Sequence, residues 1–203
     1  MKKTSALLFS LCSLFSMATF AQEPTADTAP KETAQTGSIK SLFGITLGEP
    51  MTIPRCTPGK PAIQTSEMCF IAAGNTSLFY GKTAQSIKIY FPKNTVPDGF
   101  VTPWLNAEVY KQRIVSMQVS TKGKTKQEPL YKALEAHLGK PDTYQTIESA
   151  ESGDAQYSIG SLLANWATPQ TETIFYGEYK STKKGLLKAQ LRIDFFEKLV
   201  NSL

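Results

Sequence analysis

Three stretches of this chain alternate apolar and polar residues with a period of two, the signature of a strand with one buried face. In 84–91, Ile87, Ile89 and Phe91 alternate with Lys88 and Tyr90, and Pro92 closes the run. In 172–180, Thr173, Phe175, Gly177 and Tyr179 alternate with Ile174, Tyr176 and Glu178. In 186–195, Leu187, Ala189, Leu191, Ile193 and Phe195 alternate with Lys188, Gln190, Arg192 and Asp194. A fourth stretch, 107–120, sets Val109, Val115, Met117 and Val119 to one side, and its polar break at Lys111-Gln112 predicts a hairpin.

One segment has the helical period instead. Thr125-Lys126-Gln127-Glu128 has the form of a capping box, with Pro129 expected in the first turn. Leu130, Leu134 and Leu138, with Ala133 alongside, make an apolar stripe that ends at Gly139-Lys140-Pro141. Shorter strands are expected over 143–148 and 156–166, turns at 151–154, 168–170 and 183–185, and a short helix over 196–203. The fold class is α+β: an antiparallel β-meander packed against one main helix at 126–138, with a short C-terminal helix and one disulfide-stapled loop. No internal repeat is visible in the sequence.

The N-terminus carries an address. Residues 1–21 place Lys2 and Lys3 before an apolar run from Ala6 to Phe20, with small residues at Thr19 and Ala21. This is the layout of a signal peptide cleaved between Ala21 and Gln22, and the run is too short and too serine-rich for a membrane span. Cys12 lies inside the run behind Leu11, where lipidation requires a small residue. Residues 22–37, with three alanines as their only apolar residues and with Pro24 and Pro30, bury too little to order themselves and are expected to form a linker. A single domain is expected over 38–203, and the periplasm is the expected location. The 203 residues, 41% of them apolar, suffice for one core.

Removal of the leader leaves 20 basic against 17 acidic residues, a net charge of +3. That excess is too small for a nucleic-acid binder, which needs a dense basic stripe. The mature chain would retain Cys56 and Cys69, and two cysteines 13 positions apart in an exported chain predict one disulfide. In the chain-entropy account, closing a loop of this length is worth about 3 kcal/mol.

Phe43-Gly44-Ile45-Thr46-Leu47-Gly48-Glu49-Pro50, the stop Leu138-Gly139-Lys140-Pro141 and Trp166 on a later strand resemble exported α+β proteins of Gram-negative bacteria that have no assigned activity. At the level of topology the helix stop followed by antiparallel strands is also similar to the small lipoprotein of the outer-membrane assembly machinery. The resemblance implies a periplasmic α+β binding module and carries no catalytic residue across.

Candidates for chemistry are few. His137 is the only histidine and lies beside the helical stripe in the last turn, where a packed or capping role is expected and no second histidine joins it in a metal site. Ser181-Thr182-Lys183-Lys184 matches S-x-x-K without the partner motifs that make it a nucleophile. Gly81-Lys82-Thr83 and Gly123-Lys124-Thr125 lack the upstream glycine of a phosphate loop. Asp142, Glu148, Glu151 and Asp154 gather around an expected hairpin as solvated turn charges. No catalytic residue, cofactor site or metal site is assigned.

Two surface groups remain. Lys122, Lys124 and Lys126 precede and open the helix, where cations oppose the helix dipole and would attract an anion, and Lys183 and Lys184 belong to a second basic group with Lys180 and Lys188. Tyr90 beside Phe91 and Tyr176 beside Phe175 put an aromatic on each side of their strands. The expected function is non-catalytic binding of an envelope protein, as an inhibitor or immunity-type protein in one form, or of an anionic envelope component, through these lysines and tyrosines. The alternatives are an envelope hydrolase using an acidic pair and an outer-membrane assembly accessory.

Overall fold

A computed structural model describes residues 41–59, 65–148 and 156–203. The leader, Cys12, the linker and the carboxylates Glu151 and Asp154 lie outside the described residues.

Eight strands form one antiparallel sheet: β1 (Cys69–Phe79), β2 (Lys82–Tyr90), β3 (Trp104–Tyr110), β4 (Arg113–Thr121), β5 (Thr143–Thr146), β6 (Leu162–Ala167), β7 (Thr171–Tyr176) and β8 (Gly185–Leu191). Among the described residues two helices accompany it, α1 (Lys124–Leu138) and α2 (Ile193–Ser202). The strand order is β1-β2-β3-β4-β8-β7-β6-β5. The expected single meander is therefore two. The chain makes four strands and a helix, repeats that succession, and pairs the last strand of each half at the centre, with Met117 opposite Ala189 and Val119 opposite Leu187. Topology repeats here where the residues do not, because hydrophobic period alone is enough to specify each strand.

The hairpin at Lys111-Gln112 forms as expected, and a second joins β1 to β2 at Tyr80-Gly81. All four residues have positive φ, 45° and 62° in the first and 44° and 75° in the second. Two-residue turns with both central φ positive match the twist of paired strands.

The core lies on one face of the sheet. Ile87, Ile89, Leu105, Met117, Val119, Leu187, Leu191 and Phe175 are buried there. What covers them is more than one helix: Leu130 and Leu134 of α1 share the core with Leu42, Ile45 and Leu47 of the leading segment and with Phe91 and Phe100 of the β2–β3 connection. Helix α2 adds Phe196 to the same cluster, setting it against Phe79 at 4.9 Å and Tyr110 at 5.4 Å between ring centres.

Both helix starts differ from the sequence expectation. The alternation over 186–195 stops at Leu191, since Arg192 donates its backbone N–H to Gln170 O and accepts at its own carbonyl from Phe195 and Phe196. Ile193 and Phe195 are thereby helical, and Ile193 is left exposed. Helix α1 begins at Lys124 behind Gly123, with no side-chain cap from Thr125, so Pro129 falls in the second turn instead of the first. The helix ends where expected, at Gly139 with φ 90°. Trp166 Nε1 ties that end to β6 by donating to Gly139 O at 2.7 Å.

Cys56 and Cys69 form the expected disulfide, with 4.8 Å between their Cα atoms. Beside it the backbone of Phe70 donates to Pro54 O and accepts from Cys56 N–H, both at 2.9 Å, so the stapled segment pairs with the start of the edge strand β1. Replacing both cysteines by serine should lower the unfolding free energy by about 3 kcal/mol, read as a lower urea midpoint together with a steeper slope, because the unfolded chain expands once its cross-link is gone.

Candidate functional site

The second face of the sheet carries the residues that alternate with the core. Its register runs unbroken from Lys88 through Asn106, Gln118, Lys188 and Ile174 to Asn165, one residue per strand. Two residues further along each strand lies a more apolar rank, with Tyr90 opposite Trp104 and with Ser120, Leu186, Tyr176 and Leu163 in succession. Tyr90 and Tyr176, which the sequence singled out separately, thus stand at the same end of the same face. Tyr176 belongs to a cluster, its ring 5.3 Å from Tyr157 and 5.8 Å from Tyr179. Burial, then the neighbouring Tyr176 and Tyr179, holds the Tyr157 phenol above its ordinary range.

The expected lysines are at this end too, because β4 leaves the rank for α1 there and the β7–β8 connection enters it. A Cβ on Gly123 would meet the backbone carbonyl of Lys183, so the two basic groups, some 60 positions apart in sequence, are neighbours. The side chains have different fates. Lys122 and Lys126 reach Asp98 at 3.3 and 2.8 Å, and these two hydrogen bonds, Lys126 first, hold the Asp98 carboxyl below its ordinary range. Lys183 and Lys184 are exposed in the turn.

The anion expected at the start of α1 is supplied by the protein itself. Glu178, buried, accepts from Lys124 N–H at 3.1 Å and from the Ser158 hydroxyl at 2.8 Å. It thus does the work of the missing N-terminal cap and sets a negative charge against the positive end of the helix dipole. Burial alone would raise its pKa, but the hydrogen bonds from Lys124 and Ser158, with the charges of Lys183 and Lys124, bring the net shift below the ordinary value. Nothing in the alternation of 172–180 marks this role, since Glu178 sits there as an ordinary polar position.

Beside it the loop before β6 is held by Gln127, which donates to Gly160 O at 2.8 Å and accepts from Leu162 N–H at 3.1 Å. That loop presents Ile159, 51% exposed, which the sequence reading missed because a lone isoleucine in an apolar run reads as core.

The remaining candidates lie apart. His137 Nε2 is 2.7 Å from Ser41 O at the far end of α1, and Asp142 accepts from Ala167 N–H where β5 begins. Glu148 is exposed beyond β5, and Ser181 and Lys184 lie in an exposed turn. Gly81-Lys82-Thr83 belongs to the β1–β2 hairpin and Gly123-Lys124-Thr125 to the start of α1. Among the described residues no group of three or more His, Cys, Asp or Glu side chains is arranged to hold a metal ion, and no helix is long and apolar enough to cross a membrane. No family model, no curated protein and no solved structure matches the chain.

Glu178→Gln should destabilise the fold by about 2 kcal/mol, the scale of hydrogen bonds to a buried charge, in thermal or urea unfolding at neutral pH. The pH dependence has a definite sign. Because the folded pKa is lowered, this contribution is fully present above the unfolded glutamate pKa and is lost as pH falls through the folded value, so the wild type should approach the variant in stability on acidification.

Proposed function

We propose that this chain is an exported, non-catalytic binding protein of the periplasm that recognises another envelope protein through the end of the sheet where Ile159, Tyr176 and Leu186 meet Lys124, Lys183 and Lys184. The observation that carries the reading is convergence. Aromatic and basic residues from separate parts of the sequence lie at one end of the sheet's second face and around the adjoining loops.

The composition of that surface suits a protein partner. An exposed isoleucine beside a half-buried tyrosine and leucine, ringed by polar side chains, is typical of the residues that dominate interface energetics, and rim lysines steer an acidic partner toward them. An inhibitor or immunity-type role is one form of this function, with the loop bearing Ile159 entering the partner. Export is supported by the leader-like first 21 residues and is compatible with the Cys56–Cys69 disulfide.

A photo-crosslinking residue at position 159, in cells that express the full chain, should trap one discrete envelope protein. With that partner in hand, reversing both charges by Lys183→Glu with Lys184→Glu should slow association at least about tenfold at low salt. The effect should shrink as salt rises. Crosslinking that is diffuse, or association that is indifferent to both substitutions, would remove the proposal.

A further inference from the structure

The middle of the same face holds a second feature, and it uses none of the residues assigned above to partner binding. A depression of about 470 Å³ opens over β1, β2, β3, β4 and β8. Its lining includes Ser86, Lys88, Asn106, Glu108, Gln118 and Lys188. Lys88, Asn106, Gln118 and Lys188 are successive cross-strand neighbours, so the two lysines stand three interstrand steps apart, about 14 Å, with the two amides between them.

What sets this group apart is its unused hydrogen-bonding capacity. Towards β7 the polar side chains of the face bond to one another: Gln190 Nε2 donates to Glu172 Oε2 at 3.3 Å and to the Tyr80 hydroxyl at 3.4 Å, and Asn165 Nδ2 donates to Glu172 Oε1 at 3.1 Å. In the depression, Ser86, Asn106, Glu108, Gln118 and Lys188 make no side-chain hydrogen bond or ion pair among the described residues. Lys88 is directed by a different contact, its ammonium 5.1 Å from the centre of the Trp104 ring at the border of the depression. A cation held over an aromatic face is favourably placed without being neutralised.

The mixture selects a ligand class. Ammonium groups only donate, the Glu108 carboxylate only accepts, and amides and hydroxyls do both. A ligand that satisfies all of them must itself present many groups that donate and accept, which is the chemistry of sugar hydroxyls. Two lysines against one glutamate leave one positive charge over, which calls for an acid on the ligand. The volume lies within the range of small-ligand sites. We propose that this depression binds an acidic oligosaccharide, with Lys88 and Lys188 taking its carboxylates and Asn106, Gln118 and Glu108 its hydroxyls.

The test is calorimetric titration of the full chain with a hyaluronan hexasaccharide, which carries uronates, and with fully N-acetylated chitohexaose, which is uncharged. The acidic saccharide should bind saturably, and chitohexaose at least about tenfold more weakly. Asn106→Ala with Gln118→Ala, and separately Lys88→Ala with Lys188→Ala, should each weaken the acidic saccharide at least about tenfold. These side chains lie off the core, so the thermal midpoint should hold and report that each variant is folded. Absence of saturable binding, equal affinity for the two saccharides, or affinity unmoved by both pairs of substitutions would overturn the proposal. Crosslinking from position 159 involves none of these residues, so either result can fail without the other.

Discussion

The pairing of β4 with β8 holds the molecule together, because it is the one seam at which the two halves of the chain become one sheet. At its end the backbone approach is too close for any side chain. A Cβ on Gly185 would run into the carbonyls of Tyr176 and Gly177 and the Thr121 hydroxyl, and one on Gly177 would run into Gln127 and the backbone of Leu162. Glycine is required at both places for room, since neither has a positive φ. The same crowding brings Glu178 under the start of α1, so seam, helix start and loop before β6 are one bonded unit.

That unit also determines what the outer face can do. Because the apolar side chains of the central strands point to the core, their alternates must point outward. The register then lines those alternates into rows that cross strands distant in sequence. One row is amide and lysine, the next aromatic and aliphatic, and the basic turns adjoin the second. A single sheet thereby offers two surfaces of different chemistry, one polar and concave, the other apolar with a cationic rim.

Much of the fold was legible from period alone. The strand at 84–91, the hairpin at Lys111-Gln112, the stripe Leu130–Leu134, the stop at Gly139 and the Cys56–Cys69 bond all follow from interactions between residues close in the chain. The misses share the opposite property. The capping box failed because the α1 start takes its acceptor from Glu178, 54 residues away. The last alternating run extends four residues beyond the strand because nothing local distinguishes Ile193 and Phe195 on a strand from the same residues on a helix whose Phe196 is drawn to Phe79 and Tyr110.

The sequence by itself determined the elements, their buried faces and the covalent staple, because each rests on short-range geometry: a two-residue period, a helical stripe, a loop closed by two sulfurs. Only the tertiary structure decided that two meanders meet at β4 and β8, that Glu178 answers the charge at the helix start, and that Tyr90 and Tyr176 share a rank. Those outcomes depend on which strands become neighbours, and the strand order is settled by packing the whole core at once, information that no local window of residues contains.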